Sequence, residues 1–207
     1  MLDYVTRGLH LVPGSPLDEY HQLRYKLYIE QEGWEVPHID GREYDEFDTP
    51  KASYLLCRDD ETGRVIGGVR ILRTTDPYML KDIWPDMLDI PAPEAADIWE
   101  GSRFHADPGL APEDRRKALQ ELSAGLYELT YRFGVNKLFF VMPPRLAKSW
   151  FDSGLPFEML GSEKHFNTGP AVAGWLLCTK EARELTHALY GRTPEIHGLE
   201  EALEAAA

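Results

Sequence analysis

The sequence predicts an α+β fold: a mixed sheet with helices on both faces, three layers deep in the order αβα. Three observations carry this. SYLLC (53–57) and RVIGGVRIL (64–72) flank the turn signal DDETG, which places two antiparallel strands side by side. A leucine-spaced helix over 112–133 stands between two strand-like runs, DIWEGSRFHA and NKLFFVM, which is a crossover connection. Hairpin and crossover connections in one chain make a mixed sheet covered by helices. With 207 residues, 43% of them hydrophobic, the chain fills one packed domain and falls short of two large ones.

The elements follow in order. The start, MLDYVTRGLH, lacks the basic opening and apolar run of a signal peptide, and no later run is apolar enough to span a membrane. Ser15-Pro16-Leu17-Asp18 reads as a helix start, with Ser as cap, Pro in the first turn and an acid at the third position. That helix runs to about Gln31 and stops at Gly33. Arg24 and Tyr28, four apart, share one of its faces. Residues 33–51 are acid-rich, carry Trp34, Tyr44 and Phe47, and hold no sustained period. They read as a long ordered loop of the functional kind. The hairpin comes next, with Arg70 in mid-strand between Val69 and Ile71. Gly67-Gly68 lies inside that strand, so it marks a bulge or a close approach rather than a phosphate loop. A turn-rich stretch with a short helix near 79–88 leads to the strand 97–106. The helix 112–133 ends at Gly134. A buried strand (136–142), a helix (144–154), a strand (170–179) and a helix ending at Gly191 complete the pattern. The chain reads as a single domain over 1–207, with 192–207 an acidic tail expected to fray.

A formal net charge of −13 argues against non-specific nucleic-acid binding, which needs a basic footprint. Cys57 and Cys178 have no metal-ligand spacing. They read as small buried hydrophobes of a reducing, cytoplasmic compartment rather than a disulfide. GxSxG, GxxxxGK[ST], HExxH and CxxC are absent. The seven histidines (10, 21, 38, 105, 165, 187, 197) show no ligand spacing, so no metal is implied, and His105 reads as a core or surface histidine.

What remains is a scattered charged set: Arg24, Asp45, Asp48, Arg70, Glu100 and Arg103. Singly, each has an ordinary reading as a solvated helix position, a loop acid or a snorkelling strand arginine. Glu100 and Arg103 resist it, because WEGSRF surrounds them with Trp99 and Phe104. In a regular strand Glu100 and Ser102 face one way, Gly101 and Arg103 the other. Both charges enter one pocket only if the strand bulges near Gly101.

With these residues assembled, the chain resembles the acyl-homoserine lactone synthases, the autoinducer synthases of bacterial quorum sensing. The carrying segments are RYKLYIEQEGW (24–34), EYDEFD (43–48), GGVRILRTTDPYMLKDIWPDML (67–88) and WEGSRF (99–104). They hold the family's Arg, aromatic and Trp as Arg24, Tyr28 and Trp34, its paired acids as Asp45 and Asp48, its strand arginine as Arg70, and its Glu-x-Ser-Arg as Glu100, Ser102 and Arg103. The family commonly has Phe where Tyr28 and Trp84 stand here. Met142 and Pro143 occupy the place of a Thr that the family associates with 3-oxo acyl groups, which speaks against such substrates.

The resemblance implies a fold similar to the GCN5-related N-acetyltransferases, a twisted mixed sheet splayed where the donor's pantetheine arm lies. It implies no cofactor and two substrates, S-adenosylmethionine and an acyl thioester on acyl carrier protein or coenzyme A. Their products are an N-acyl-homoserine lactone and methylthioadenosine. An N-acyltransferase acting on another amine, or a ligand-binding relative without catalysis, remains open on the same residues.

The chemistry assigns roles. The attacking α-amine has a pKa of about 7.7–8.0 and needs a base, for which Glu100 is the candidate. Ser102 and Arg103 lie where backbone donors serve an oxyanion. Trp34 and Tyr28 offer aromatic faces to S-adenosylmethionine, with Phe104 beside them. Asp45 and Asp48 suit its ammonium or ribose, and Arg24 or Arg103 its carboxylate. Arg70 serves either the ligand or a buried ion-pair network. Leu122, Leu126, Val141, Met142 and Trp150 are candidates for the acyl-chain pocket and equally for plain core. Arg115, Arg116, Lys117, Arg145 and Lys148, with Lys164, form a candidate acyl-donor surface, or ordinary surface charge.

Overall fold

The computed structural model describes residues 1–6 and 12–206, so His10 lies outside the described residues. In chain order the elements are β1 (Leu2–Thr6), α1 (Pro16–Arg24), a π-helical stretch Tyr25–Gln31, β2 (His38–Ile39), β3 (Arg42–Glu43), β4 (Ser53–Arg58), β5 (Val65–Arg73), α2 (Met79–Asp82), a 3₁₀ turn Pro85–Met87, β6 (Ile98–Ala106), α3 (Pro112–Arg132), β7 (Lys137–Met142), α4 (Pro144–Asp152), β8 (Phe157–Met159), β9 (Lys164–Phe166), β10 (Gly169–Leu177), α5 (Lys180–Tyr190), β11 (Ile196–His197) and α6 (Leu199–Ala206). The main sheet runs β11-β1-β4-β5-β6-β7-β10-β8, with β9 on β10 and β2-β3 a separate ribbon. The predicted mixed sheet and three αβα layers are present.

Strand alternation divides the core. Leu55 and Cys57 of β4 and Leu138, Phe140 and Met142 of β7 face α3 and α4. Tyr54 and Leu56 of β4 and Phe139 of β7 face the side of α1 and α2. Val141 follows Phe139 onto that second side, away from Leu122, Leu126, Met142 and Trp150. The sequence grouping of Val141 with those four is therefore corrected by simple alternation.

Three further differences have local causes. The first helix starts as expected, with the Ser15 hydroxyl accepting the Asp18 N–H at 3.2 Å. After Arg24 it continues as a π-helix instead of an α-helix, and Glu32 N–H donates to the Leu27 carbonyl five residues back. The loop 33–51 contains a hairpin. Asp40 and Gly41 both take positive φ (48° and 72°), the turn chemistry that Asp-Gly supplies between β2 and β3. Over 192–206 the tail is structured where fraying was expected: β11 pairs parallel with β1 (Leu2 opposite Ile196), and Leu199 of α6 is buried.

The sheet opens between β6 and β7. They pair in parallel only over Ile98–Glu100 and Lys137–Phe139, although β6 continues to Ala106 and β7 to Met142. This is the expected splay. Just past the last paired residues the Phe140 ring lies over Gly101, where a Cβ would stand 2.2 Å from it. Gly101 is therefore a close-packing glycine. No helix among the described residues is long and apolar enough to cross a membrane.

Candidate active site

The bulge that the charge pattern requires exists, two residues beyond the expected place. Between β5 and β6 the register slips: Gly68 pairs with His105, but Arg70 pairs with Ser102. One extra β6 residue thus stands opposite Val69, and Arg103 takes φ 57°. The slip turns Arg103 onto the side of Glu100 and Ser102 and sends Phe104 to the other face. There Phe104 packs edge-on against Phe140 and Trp150, with ring centroids 6.3 and 5.8 Å apart. Phe104 is therefore removed from the S-adenosylmethionine group and placed with the acyl-chain candidates.

On the Glu100 side, three arginines and three carboxylates form one buried network. Arg24, wholly buried, donates both Nη groups to Asp48 at 2.8 Å and its Nε–H to Glu43. Arg70, also wholly buried, is forked onto Asp45, stands 3.0 Å from Asp48, and donates Nε–H to Ser102 Oγ at 3.0 Å. Arg103 Nη2 reaches Glu43 and Asp45, each at 2.9 Å. Tyr54 O–H donates to Asp48 at 2.8 Å, and the Asp45 and Phe47 N–H groups bond within the same loop. Every arginine here has a carboxylate partner and the formal charges cancel. That compensates the large cost of burying them.

This network redistributes the expected roles. Asp45 and Asp48 face arginines, not open space, and Arg24 and Arg70 have no exposed N–H for a ligand carboxylate. Ser102 is the acceptor that orients Arg70. Arg103 keeps an uncommitted group: among the described residues its Nη1 has only the thioether of Met79, at 3.9 Å. Of the two arginines considered for the substrate carboxylate, Arg103 alone retains that capacity. Its guanidinium lies 5.4 Å from the Tyr28 ring centroid, and Tyr28 stacks on the half-buried Trp34 at 4.6 Å.

Glu43 is the member that sequence reasoning missed. The β2-β3 ribbon brings it to the centre of the cluster, with no exposure. Burial opposes its ionisation, but Arg24 and Arg103 outweigh that and hold its carboxyl at about 2. The clue was the Asp-Gly turn, which folds Arg42–Glu43 back against His38–Ile39 as a short ribbon. The same two arguments set Asp48: burial opposes ionisation, and Arg24 and Arg70 push its pKa far below the usual range.

Glu100 has a different setting. It is 2% exposed, and its oxygens accept the N–H groups of Met79 and Leu80 at 2.8 and 2.9 Å. Burial raises its pKa to about 7 despite those two donors. A carboxyl poised near neutrality, on the same side of the sheet as Arg103, suits proton transfer from an amine.

On the opposite face Ser123, Leu126, Tyr127, Trp150, Leu155 and Leu176 line an apolar slot with no room for a water. It contains Leu126 and Trp150 of the predicted acyl set; Leu122 and Met142 lie in the same core. The basic candidates lie on the helices of this side, Arg115, Arg116 and Lys117 on α3, Arg145 and Lys148 on α4. Lys117 and Lys148 pair with Asp114 and Asp152 on their own helices. Lys164 is half-buried on β9.

The chain is similar to known proteins over most of its length. The autoinducer synthase profile matches residues 9–186. An acyl-homoserine-lactone synthase of Vibrio anguillarum is 32% identical over 156 residues, covering 74% of this chain and 80% of its own length. The CoA-dependent acyl-homoserine lactone synthase BjaI, solved with SAM and isopentyl-CoA, superposes with a TM-score of 0.84 at 22% identity, covering 99% of each chain. An acyl-CoA N-acyltransferase from Pseudomonas aeruginosa shares the fold at a TM-score of 0.56 and 11% identity, covering 84% of this chain and 98% of that one. The N-acetyltransferase-like sheet expected from sequence is thus the fold found.

Proposed function

The chain belongs to the autoinducer synthase family, and from that premise we propose how its residues divide the work of making an acyl-homoserine lactone. The enzyme acylates the amine of S-adenosylmethionine from an acyl thioester, then closes the lactone with release of methylthioadenosine. In our reading Glu100 takes the ammonium proton, directly or through one water, as the nitrogen attacks the thioester carbonyl. Arg103 Nη1 holds the substrate carboxylate, and Tyr28 and Trp34 offer the sulfonium and adenine an aromatic face. Asp45, Asp48, Arg24, Arg70 and Glu43 form the scaffold that fixes Arg103. Lactone closure needs little beyond positioning, since the sulfonium is already an excellent leaving group.

The acyl tail crosses the β6-β7 splay into the slot between Leu126 and Trp150, which opens to admit it. The basic residues of α3 and α4 meet the donor, an acidic acyl carrier protein or coenzyme A. Two free thiols, Cys57 and Cys178, support work in the reducing cytoplasm.

The observation that carries this reading is a buried glutamate held near neutrality that accepts the Met79 N–H, while the unspent Nη1 of Arg103 lies 3.9 Å from the thioether of the same Met79. The test is to incubate the purified protein with S-adenosylmethionine and a panel of acyl-CoA and acyl-carrier-protein thioesters. Methylthioadenosine and an acyl-homoserine lactone are expected with at least one donor. Acylated amine without methylthioadenosine selects an N-acyltransferase instead, and no turnover with any donor contradicts the reading.

A further inference from the structure

The left-handed bulge at Arg103 is held by two side chains outside the charged network. Arginine rarely adopts φ 57°, and the register slip interrupts the regular strand pairing there. The Arg103 carbonyl instead accepts the Tyr20 hydroxyl at 2.8 Å and the His105 Nδ1 at 2.8 Å. A carbonyl only accepts, so His105 carries its proton on Nδ1. Its Nε2 is sealed from solvent with no partner among the described residues, and burial, reinforced by Arg24 and Arg103, pushes its pKa down to about 4. The imidazole therefore stays a neutral, fixed donor. The Tyr20 and His105 rings stack at 5.2 Å, 19° apart. The glycine pair of β5 makes room for this: a Cβ on Gly68 would stand 2.7 Å from the Tyr20 ring, and one on Gly67 would stand 2.7 Å from the His105 carbonyl.

We propose that Tyr20 and His105 are positioning residues for the reaction, a two-donor lock that keeps Arg103 left-handed and its guanidinium on the Glu100 side of the sheet. The proposal rests on the assignment of Arg103 to substrate binding. Without the lock, the backbone relaxes toward extended geometry, and the alternation of a regular strand turns Arg103 toward the other face. Both lock residues act through Arg103 and touch no reacting atom.

The test is methylthioadenosine-release kinetics of Tyr20→Phe, His105→Leu and His105→Asn beside wild type. Asparagine restores a donor at the Nδ1 position and leucine does not. Tyr20→Phe and His105→Leu each lower kcat about tenfold with the KM for the acyl donor unchanged, and His105→Asn recovers most of the loss. The lock is also read without turnover, by hydrogen exchange of the Arg103 Nε–H, which Glu43 accepts at 3.2 Å. Its protection falls in Tyr20→Phe and His105→Leu and persists in His105→Asn. Unchanged protection, or His105→Asn as impaired as His105→Leu, overturns the lock. A protected Arg103 in a wild type without turnover overturns the functional reading and leaves the lock standing.

Discussion

Glu43 and Glu100 are buried to nearly the same extent, 0% and 2% exposed, yet their carboxyls shift in opposite directions. Glu43 faces Arg24 and Arg103 and is held at about 2; Glu100 faces two backbone amides and rises to about 7. Burial sets the cost of a charge, and the neighbours decide who meets it. Two full cations keep one acid ionised under every ordinary condition, which makes it an anchor. Two partial charges leave the other close to balance, which makes it a proton acceptor.

Removing the base is the largest blow this contrast predicts. Glu100→Gln lowers methylthioadenosine release about 10²–10⁴-fold with the fold retained, seen by product chromatography beside circular dichroism. In wild type, kcat/KM rises with pH up to about 7 and levels off above it, following ionisation of Glu100. Removing the anchor strikes stability instead. Glu43→Gln leaves Arg24 and Arg103 short of a partner and costs about 3–5 kcal/mol, read from the urea midpoint. An unchanged midpoint would break the contrast.

The two acids also pull stability in opposite directions with pH. The folded pKa of Glu43 lies below its ordinary 4.5, so its contribution is present above 4.5 and is lost as pH falls toward 2. Glu100 is raised, so the folded state holds its proton more tightly. Stability is full below 4.5 and declines as pH rises to about 7, by about 3 kcal/mol. Denaturation midpoints from pH 4 to 8 show this decline in wild type and lose most of it in Glu100→Gln.

Smaller effects sharpen the boundary between the faces. Gly101→Ala drives a methyl into the Phe140 ring and costs about 1–3 kcal/mol. Tyr127→Phe, which deletes a buried hydroxyl with no partner among the described residues, changes stability by less than about 1 kcal/mol and toward gain. Thermal melts compare the two.

Much of this was legible in the sequence. The cap at Ser15, the DDETG hairpin, the long α3 and the charged set all follow local rules, and each is found. What escaped depends on contacts between distant residues. Glycine permits a bulge, so Gly101 was the expected site. The structure gives Gly101 to Phe140 and places the bulge at Arg103, where Tyr20 and His105 lie within bonding reach. The side taken by Phe104 follows from that slip. Asp45, Asp48 and Arg24 are spent on ion pairs in a balanced network that Glu43 completes, and of the two readings open for Arg70 the structure shows the buried ion-pair network.

The most direct test is a carboxyl titration by ¹³C NMR on protein labelled at glutamate Cδ, with Glu100→Gln and Glu43→Gln spectra assigning the two signals. The account predicts a Glu100 signal titrating near pH 7 and a Glu43 signal still ionised at pH 4. A Glu100 signal titrating near its ordinary 4.5 would contradict it.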